Sequence, residues 1–486
     1  MGTLMRRRIG MWFGPAGGLV ALWPDAAWAN EAHAAAGLGA ELPLVAVAPF
    51  ALLLLCIAVL PLAAGHWWEH NRNKGLIAAL LSAPIVIHLL AFSGAEGHHA
   101  LHEKLIEYVS FIALLGALFV ISGGIYVKGS LSGTPLVNTG VLGFGAVLAN
   151  LIGTTGASVL LIRPLLRANA PRQRKAHVVI FFIFVVSNCG GLLTPLGDPP
   201  LFLGFLKGVP FEWTLQLWKP WLTVNGALLV IFHVWDLMVL DKEEKDRPGS
   251  QLEQVMQHEP LRVTGLLNLV FLAGVVLTIL ASGRGWLNGG QKWHDPVQAA
   301  AMAGLAVVAY VSTPAANRTA NKFTFGPIIE VAVLFAGIFI TMTPALLILN
   351  AWGEGHREVL GLKFGMTHPW QFFWATGTLS SFLDNAPTYM TFAATACGLE
   401  QVSTTDSQYL AEFLANGEAS ARLLAAISCG AVFMGANTYI GNGPNFMVKA
   451  IAEENGVPMP GFFGYMSYAI AILIPLFGLV TWLFFV

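Results

Sequence analysis

The sequence predicts an all-α polytopic membrane protein, and its composition carries that prediction. Of the 486 residues, 56% are hydrophobic and 11% are charged, whereas about a quarter of the residues of a typical soluble domain are charged. The mean hydropathy is +0.66, and many apolar runs reach the roughly 20 residues that span a bilayer. The formal net charge of −1 provides no basic surface for nucleic acid. A soluble or nucleic-acid-binding protein is therefore excluded.

The N-terminal segment predicts a signal peptide over 1–29. Three consecutive arginines at 6–8 precede a short apolar run, and the tripeptide AWA at 27–29 supplies the small residues of a cleavage site. An uncleaved anchoring segment is the alternative. N-terminal helices are expected over 30–105, where two apolar runs follow.

Apolar runs divide the rest of the chain into about ten transmembrane helices and two re-entrant hairpins. Two crossings, near 175–206 and 421–450, contain Gly, Pro and polar residues, so broken helices are expected there. The hairpins are predicted over 136–167 and 370–397, where paired apolar stretches flank a polar tip. The uninterrupted crossings are predicted near 45–64, 75–93, 106–127, 218–240, 262–281, 297–312, 327–350 and 461–485.

The distribution of charge orients these spans. If the mature N-terminus is outside, Lys and Arg are more frequent in the inner segments, as the positive-inside rule requires. The acidic segment 399–418 then lies outside. This orientation places both termini on the periplasmic side of a bacterial inner membrane, with the hairpins open from opposite sides.

Two segments, 106–240 and 327–486, repeat one order of span, hairpin, broken helix and span. The tips read NLIGTTGAS and SFLDNAPTY, and the breaks read SNCGGLLTPLGDPP and GANTYIGNGPNF. The first repeat contributes three crossings, and a linker with two connecting helices follows over 241–326. Five crossings, an odd number, therefore separate the start of the first repeat from the start of the second, so the second repeat enters the membrane from the opposite face. Ordinary kinks explain one break, but four breaks in two matched pairs predict an inverted-repeat transporter with its site near the midplane.

The interrupted segments supply the candidate ion-binding or substrate-binding residues. Unpaired backbone groups are tolerated at membrane depth only inside protein or beside a cavity. The polar side chains there offer oxygen ligands for sodium, whereas no transition-metal site is expected. The first tip and break contribute Asn150, Thr154, Thr155, Ser158, Asn188, Thr194 and Asp198, and the second contribute Ser381, Asp384, Asn385, Thr388, Asn437, Thr438 and Asn442.

Helix capping is the alternative explanation for some of these residues. Asp198, Asn385 and Asn442 stand one or two residues before a proline, as N-cap residues do. An Asp at the bilayer centre costs about 2.5–3.5 kcal/mol on insertion scales, whereas Ser or Asn caps equally well. The acidic residues Asp198 and Asp384 are therefore expected to act in transport, with or without a capping role.

Glu107 and Glu330 occupy matched positions at the start of the first span of each repeat. A carboxylate there is favoured by the helix dipole alone. Their placement on opposite faces nevertheless suggests a proton entry and exit pathway.

These motifs resemble the ion transporter superfamily, over most of the chain from about 45 to 486. The resemblance is strongest for its NhaD-type sodium/proton antiporters and citrate transporters, and the group also includes arsenite permeases and sodium-coupled dicarboxylate transporters. It implies a scaffold domain and a transport domain in each protomer of a homodimer, elevator-like movement, and ion sites at the tips and breaks. The first tip departs from the pattern, because Gly153-Thr154 stands where antiporter-like members often carry Asp-Asn, which shifts the expected sodium coordination toward Asp198.

The expected function is sodium/proton antiport by alternating access. Burial lets a carboxylate hold a proton, and a nearby sodium ion favours its ionised form, so the two would compete at Asp198 and Asp384. Cation-coupled transport of citrate or another carboxylate is the alternative, and a channel is a weaker one. The sequence has no nucleotide-binding motif and no nucleophile–base pair, so neither an ATP-driven pump nor an enzyme is expected, and no cofactor beyond the transported sodium and proton.

Overall fold

The computed structural model describes residues 42–246, 259–286, 288, 293, 295–353 and 365–486. The predicted signal peptide lies outside these residues. Most of the described chain is helical, which confirms the all-α polytopic class. Eight helical segments of the described chain are long and apolar enough to cross a membrane.

The helices follow the predicted spans along the chain. Four short 3-10 turns lie at Leu44–Val47, Cys189–Leu192, Phe211–Leu217 and Gly435–Asn437. The first half contains α1 (Ala48–Ala63), α2 (Gly65–Trp68), α3 (Asn71–Ala91), α4 (Gly94–Ser122), α5 (Pro135–Ala168), α6 (Ala176–Val185), α7 (Pro199–Leu206), α8 (Trp218–Asp246) and α9 (Leu267–Gly283). The second half contains α10 (Asp295–Ser312), α11 (Ala315–Ala320), α12 (Gly326–Gly353), α13 (Pro369–Ser380), α14 (Asn385–Leu399), α15 (Tyr409–Ala415), α16 (Glu418–Met434), α17 (Gly443–Glu454) and α18 (Phe462–Phe484).

Helix α4 begins well before the apolar run predicted near 106–127. The preceding residues 95–105 contain Ala, Glu, Lys and Leu and no proline, so they extend the helix on intrinsic propensity. Glu107 consequently lies inside α4 and not in its first turn, which corrects its predicted position.

The first hairpin is the long element α5, which folds back on itself at one residue. Gly153 has φ +78° and ψ 155° within otherwise helical geometry, and glycine adopts such values without steric cost. At the other end of the hairpin, Asn138 Nδ2 donates to Asn169 Oδ1 over 2.9 Å. The two arms therefore lie side by side, and α5 is a re-entrant hairpin (hairpin 1) although its length alone would suit a crossing.

The second hairpin and the two broken helices also lie where the sequence predicts them. Hairpin 2 consists of α13 and α14, joined by a tip at 381–384. One broken helix is α6 followed by α7, and the other is α16 followed by α17. A proline lies in the first turn of both α7 and α17, where its fixed φ suits a helix start.

The helices pack in two groups. Helices α1, α3, α4, α9, α10 and α12 contact one another and are called the bundle. The hairpins, the broken helices, α8, α15 and α18 form the second group, called the hairpin unit. Helix α12 also packs along α14 and α4 along α5, so the two groups share an extended interface.

A two-stranded antiparallel sheet is the one feature of the described chain that departs from the all-helical prediction. Strand β1 (Tyr126–Ser130) pairs with β2 (Glu259–Thr264), with Tyr126 opposite Thr264. The predicted crossing near 262–281 accordingly starts later, at Leu267. Because the strands are short and distant in sequence, no local pattern reveals their pairing.

Candidate functional site

The carboxylate of Asp198 joins both hairpin tips and the second break. Its Oδ1 accepts hydrogen bonds from Thr154 Oγ1 over 2.8 Å and from Asn442 Nδ2 over 3.2 Å. Its Oδ2 accepts from Asn385 Nδ2. Asp198 is only 1% exposed, and in the described chain no Lys, Arg or His forms a salt bridge with it. The site is therefore a buried carboxylate surrounded by neutral donors.

The two breaks place polar residues at repeat-related positions. Thr194 precedes Asp198 by the same interval that separates Thr438 from Asn442, and each threonine hydroxyl donates to a carbonyl of a hairpin tip. Asp198 and Asn442 both stand immediately before the second half of a broken helix. The structure thus merges the two predicted sites into one centre between the repeats, in which one member of the central pair is acidic and the other neutral.

The capping explanation fails for this central pair and holds for Asp384. Asp198 and Asn442 stand at N-cap positions, but neither side chain accepts a hydrogen bond from its own helix. Their polar atoms are directed across the site instead. The N-cap of α14 is Asp384 and not Asn385, since Ala386 N donates to Asp384 Oδ1 over 3.1 Å.

A chain of amides links the two broken helices. Asn445 Nδ2 donates to the carbonyls of Gly435 and Thr438, each over 2.9 Å, so its Oδ1 is left to accept from Asn188 Nδ2 over 2.7 Å. Asn188 Oδ1 in turn accepts from Asn442 Nδ2 over 3.2 Å. Each amide orientation is fixed by its neighbour, and this series of hydrogen bonds ends at Asp198, which accepts from Asn442 Nδ2.

Most carbonyl groups of the first break already have donors. Asn150 Nδ2 and Trp221 Nε1 donate to Gly190 O over 2.7 and 2.8 Å, and Asn225 Nδ2 donates to Cys189 O over 3.0 Å. Asn150 Oδ1 accepts from Leu193 N over 2.7 Å. These hydrogen bonds to unwound carbonyls therefore stabilise the break.

The second hairpin and the second break keep oxygens without donors. Asn437 Nδ2 donates to Ser381 Oγ over 2.8 Å, which leaves its own Oδ1 buried and without a partner in the described chain. The same holds for Asn385 Oδ1, on the residue that donates to Asp198. Buried polar groups are normally hydrogen-bonded, so these two bare oxygens, together with the half-buried carboxylate of Asp384, are candidate ligands for a cation such as sodium.

The remaining predicted residues lie around this centre in local roles. Thr155 lines the cavity beside Asp198, and Ser158 Oγ lies 2.8 Å from Ser187 Oγ. Thr388 Oγ1 donates to the Asp384 carbonyl over 2.9 Å. None of these three contacts the Asp198 carboxylate in the hydrogen bonds of the described chain.

A cavity of about 70 Å³ separates Asp198 from the bundle. Its lining is mostly apolar, and Asp198 is the only charged residue among the described residues that line it. Hairpin unit and bundle both contribute, through Gly153, Leu196 and Phe202 on one side and Leu114, Leu118, Pro327 and Val331 on the other.

Glu107 and Glu330 lie in ion pairs outside this cavity. Glu107 is buried between two lysines: Lys104 Nζ lies 2.9 Å from its Oε2 and Lys207 Nζ lies 2.5 Å from its Oε1. Glu330 is half-buried and pairs with Lys74 over 2.7 Å. The structure thus brings neither glutamate into the Asp198 centre, and their proton-pathway role stays a prediction.

Sequence reasoning missed several residues that organise the site. Asn445 lies in the GNGPNF motif, and an asparagine inside the first turn of a helix is a usable signal, because its amide can reach carbonyls that the break frees. Trp221 and Asn225 gave no such signal, since their spacing also fits an interfacial aromatic belt and an ordinary helix face.

A family model described as "Putative citrate transport" matches residues 39–485, nearly the whole chain. No curated protein matches the chain.

Proposed function

This chain belongs to the family described as "Putative citrate transport", and on that premise we propose that it is a secondary active transporter that exchanges sodium for protons by alternating access. Transport is the function of the family as its description gives it. The choice of cargo comes from the chemistry at Asp198. The observation that carries it is a buried carboxylate with three neutral donors and no cationic partner in the described chain.

Such a carboxylate needs a positive partner. Burying an isolated ionised carboxylate is costly, and proteins avoid that cost by protonation, by pairing or by binding a metal ion. Since no basic side chain pairs with Asp198, a proton and a sodium ion are the two available partners. Binding of either one excludes the other, and this exclusion is the condition for coupled exchange.

The sodium ion would bind between Asp198 and the second tip. Asn385 Oδ1, Asn437 Oδ1 and the Asp384 carboxylate are the oxygens that have no donor or only one. Hard oxygen ligands of this kind suit an alkali cation. In this proposal the bundle is the scaffold domain and the hairpin unit moves against it.

Citrate or another carboxylate is the second candidate, and the family description favours it. The helix starts of α7, α14 and α17 meet at the site, and helix N-termini attract anions. The described residues that line the cavity include no cationic side chain, so a bare trianion would face Asp198 uncompensated. A carboxylate cargo would therefore have to enter with a metal ion or protons.

The finer assignments belong to the same proposal. The carrier would lie in the bacterial inner membrane with both termini periplasmic, act as a homodimer, and catalyse no covalent chemistry. The positive-inside bias of the sequence supports the orientation, and the family resemblance supports the dimer.

Exchange in everted vesicles tests the proposal. A pH-sensitive fluorophore is quenched by an imposed gradient, and sodium, lithium, potassium and citrate are added in parallel. We expect sodium to restore fluorescence and potassium and citrate not to do so. If citrate alone dissipates the gradient, or labelled citrate accumulates in proteoliposomes without sodium exchange, the second candidate replaces the first.

A further inference from the structure

A buried cluster of three charges joins the bundle to the hairpin unit at a distance from the Asp198 site. Glu107 and Lys104 belong to α4 of the bundle, and Lys207 directly follows α7 of the hairpin unit. The side chains of Glu107 and Lys207 are 7% and 3% exposed. Lys207 Nζ lies 2.5 Å from Glu107 Oε1, so a buried ion pair spans the interface.

The rest of this interface along α4 is largely apolar. Phe111 faces Phe202 with ring centroids 6.5 Å apart, and Leu118 lies against Gly153 at the tip of hairpin 1. Apolar contacts are non-directional, so one surface can shift along the other while burial is kept. An ion pair has a fixed geometry, and breaking a buried one is costly when a charge is left alone.

Neither charge is left alone if Glu107 and Lys207 separate. Glu107 keeps Lys104, whose Nζ lies 2.9 and 3.1 Å from its two oxygens and which belongs to the same helix. Lys207 keeps the ring of Tyr409, whose centroid lies 5.4 Å from its Nζ, and its carbonyl accepts from Leu410 N within the hairpin unit. Each partner therefore has a second contact on its own side of the interface.

We propose that the Glu107–Lys207 ion pair is a releasable latch, which favours the present arrangement of the bundle and hairpin unit and opens during each transport cycle. The inference rests on the alternating access of the proposed function. Lys104 makes the latch releasable, because it compensates Glu107 in the open state. Lys207 is a positioning residue, and it is not among the described residues that line the cavity beside Asp198.

Opposite effects of the two lysines test the latch. Lys207→Met removes the bond across the interface and leaves the Glu107–Lys104 pair neutral, so the present arrangement should lose population. After Lys104→Met, Lys207 is the only cation of the described chain that pairs with Glu107, so separation would leave a lone buried carboxylate. We expect Lys207→Met to favour the other arrangement and Lys104→Met to favour the present one and to slow exchange.

Disulfide formation between Ser122→Cys and Gly156→Cys measures the present arrangement. A Cβ on Gly156 would lie 3.3 Å from Ser122 Oγ, across the same interface. The pair is placed in a variant whose four native cysteines are alanine, after its exchange activity has been checked. In proteoliposomes, Lys207→Met should slow oxidant-induced cross-linking by roughly tenfold, and Lys104→Met should leave it as fast or faster.

Lys245→Met is the matched control. Its ion pair with Asp241 is exposed and lies within α8, so its loss leaves no buried charge alone and cross-linking should change less than about twofold. Equal cross-linking rates in Lys207→Met and the parent pair would overturn the latch, as would equal slowing by both lysine variants. Cross-linking needs no ion gradient, so this experiment and the exchange assay test separate claims. A protein that exchanges no sodium could still have the latch, and a sodium/proton exchanger could lack it.

Discussion

Asp198→Asn is the substitution that separates the chemistry of the proposed site from its packing. The amide keeps the size of the carboxylate but removes its charge and its proton. If Oδ1 of the new side chain accepts from Asn385, the new Nδ2 faces Thr154 and Asn442. The Thr154 hydroxyl can rotate to accept a hydrogen bond, whereas the Asn442 amide loses one acceptor.

The cost in stability should be small. Asn442 Nδ2 has two further acceptors at 3.2 Å, Ser187 O and Asn188 Oδ1, so the lost bond is replaced in part. One hydrogen bond contributes about 1 kcal/mol net, and removal of a buried charge acts in the opposite direction. The free energy of unfolding should therefore change by about 1 kcal/mol or less.

Sodium/proton exchange should nevertheless fall to the rate of vesicles without the protein, because neither a proton nor sodium can be held by charge at an amide. Exchange is measured by fluorescence dequenching, and unfolding by thermal aggregation in detergent. Asp241→Asn is the control, since Asp241 is exposed on α8 and pairs only with Lys245 in the described chain. Full exchange by folded Asp198→Asn protein would refute the assignment of Asp198.

Three further substitutions test other parts of the site. Asp384→Asn keeps the cap on Ala386 N, since Asn caps as well as Asp, but it removes a charged sodium ligand. The sodium KM should therefore rise roughly tenfold with little change in thermal stability. An unchanged KM would argue against a ligand at Asp384. Asn445→Leu removes the side-chain donors to the Gly435 and Thr438 carbonyls and should lower the free energy of unfolding by about 2–4 kcal/mol. The control is Asn455→Leu, since the Asn455 side-chain amide donates only to the Ile451 carbonyl in the described chain. Equal losses of thermal stability in the two variants would contradict the role of Asn445. Gly153→Ala places a Cβ on a residue with φ +78° and ψ 155°, 3.3 Å from Leu196 O. This glycine-only backbone region costs other residues about 1–3 kcal/mol, so exchange should slow. Gly140→Ala, with open space around its Cβ, should leave the rate unchanged.

The fold was largely predictable because a membrane restricts the options. A helix must satisfy its own backbone in lipid, so long apolar runs such as 461–485 became helices within a residue or two of the prediction, here Phe462–Phe484. The start of α4 was predicted too late because hydropathy detects only the apolar part of a helix that lies in the membrane. The helix itself begins earlier and runs through polar residues. Strand β1 was missed because its partner lies far away in sequence.

The residues that contact Asp198 in the candidate site were predictable one by one, and their arrangement was not. The breaks pointed to Asp198, Asn385 and Asn442 individually, since each combines a polar side chain with a nearby proline. Their convergence on one carboxylate depends on how the repeats pack, and no spacing within one repeat contains that information. The donors from Trp221 and Asn225 were hidden for the same reason.

The sodium KM for exchange as a function of pH tests most directly whether sodium and the proton compete for one carboxylate. Lowering the pH protonates the group and removes the sodium ligand, so the KM should rise with falling pH, by up to about tenfold per pH unit, while the maximal rate at saturating sodium stays constant. A KM that is independent of pH, with a maximal rate that falls instead, would show that sodium and the proton bind at separate groups.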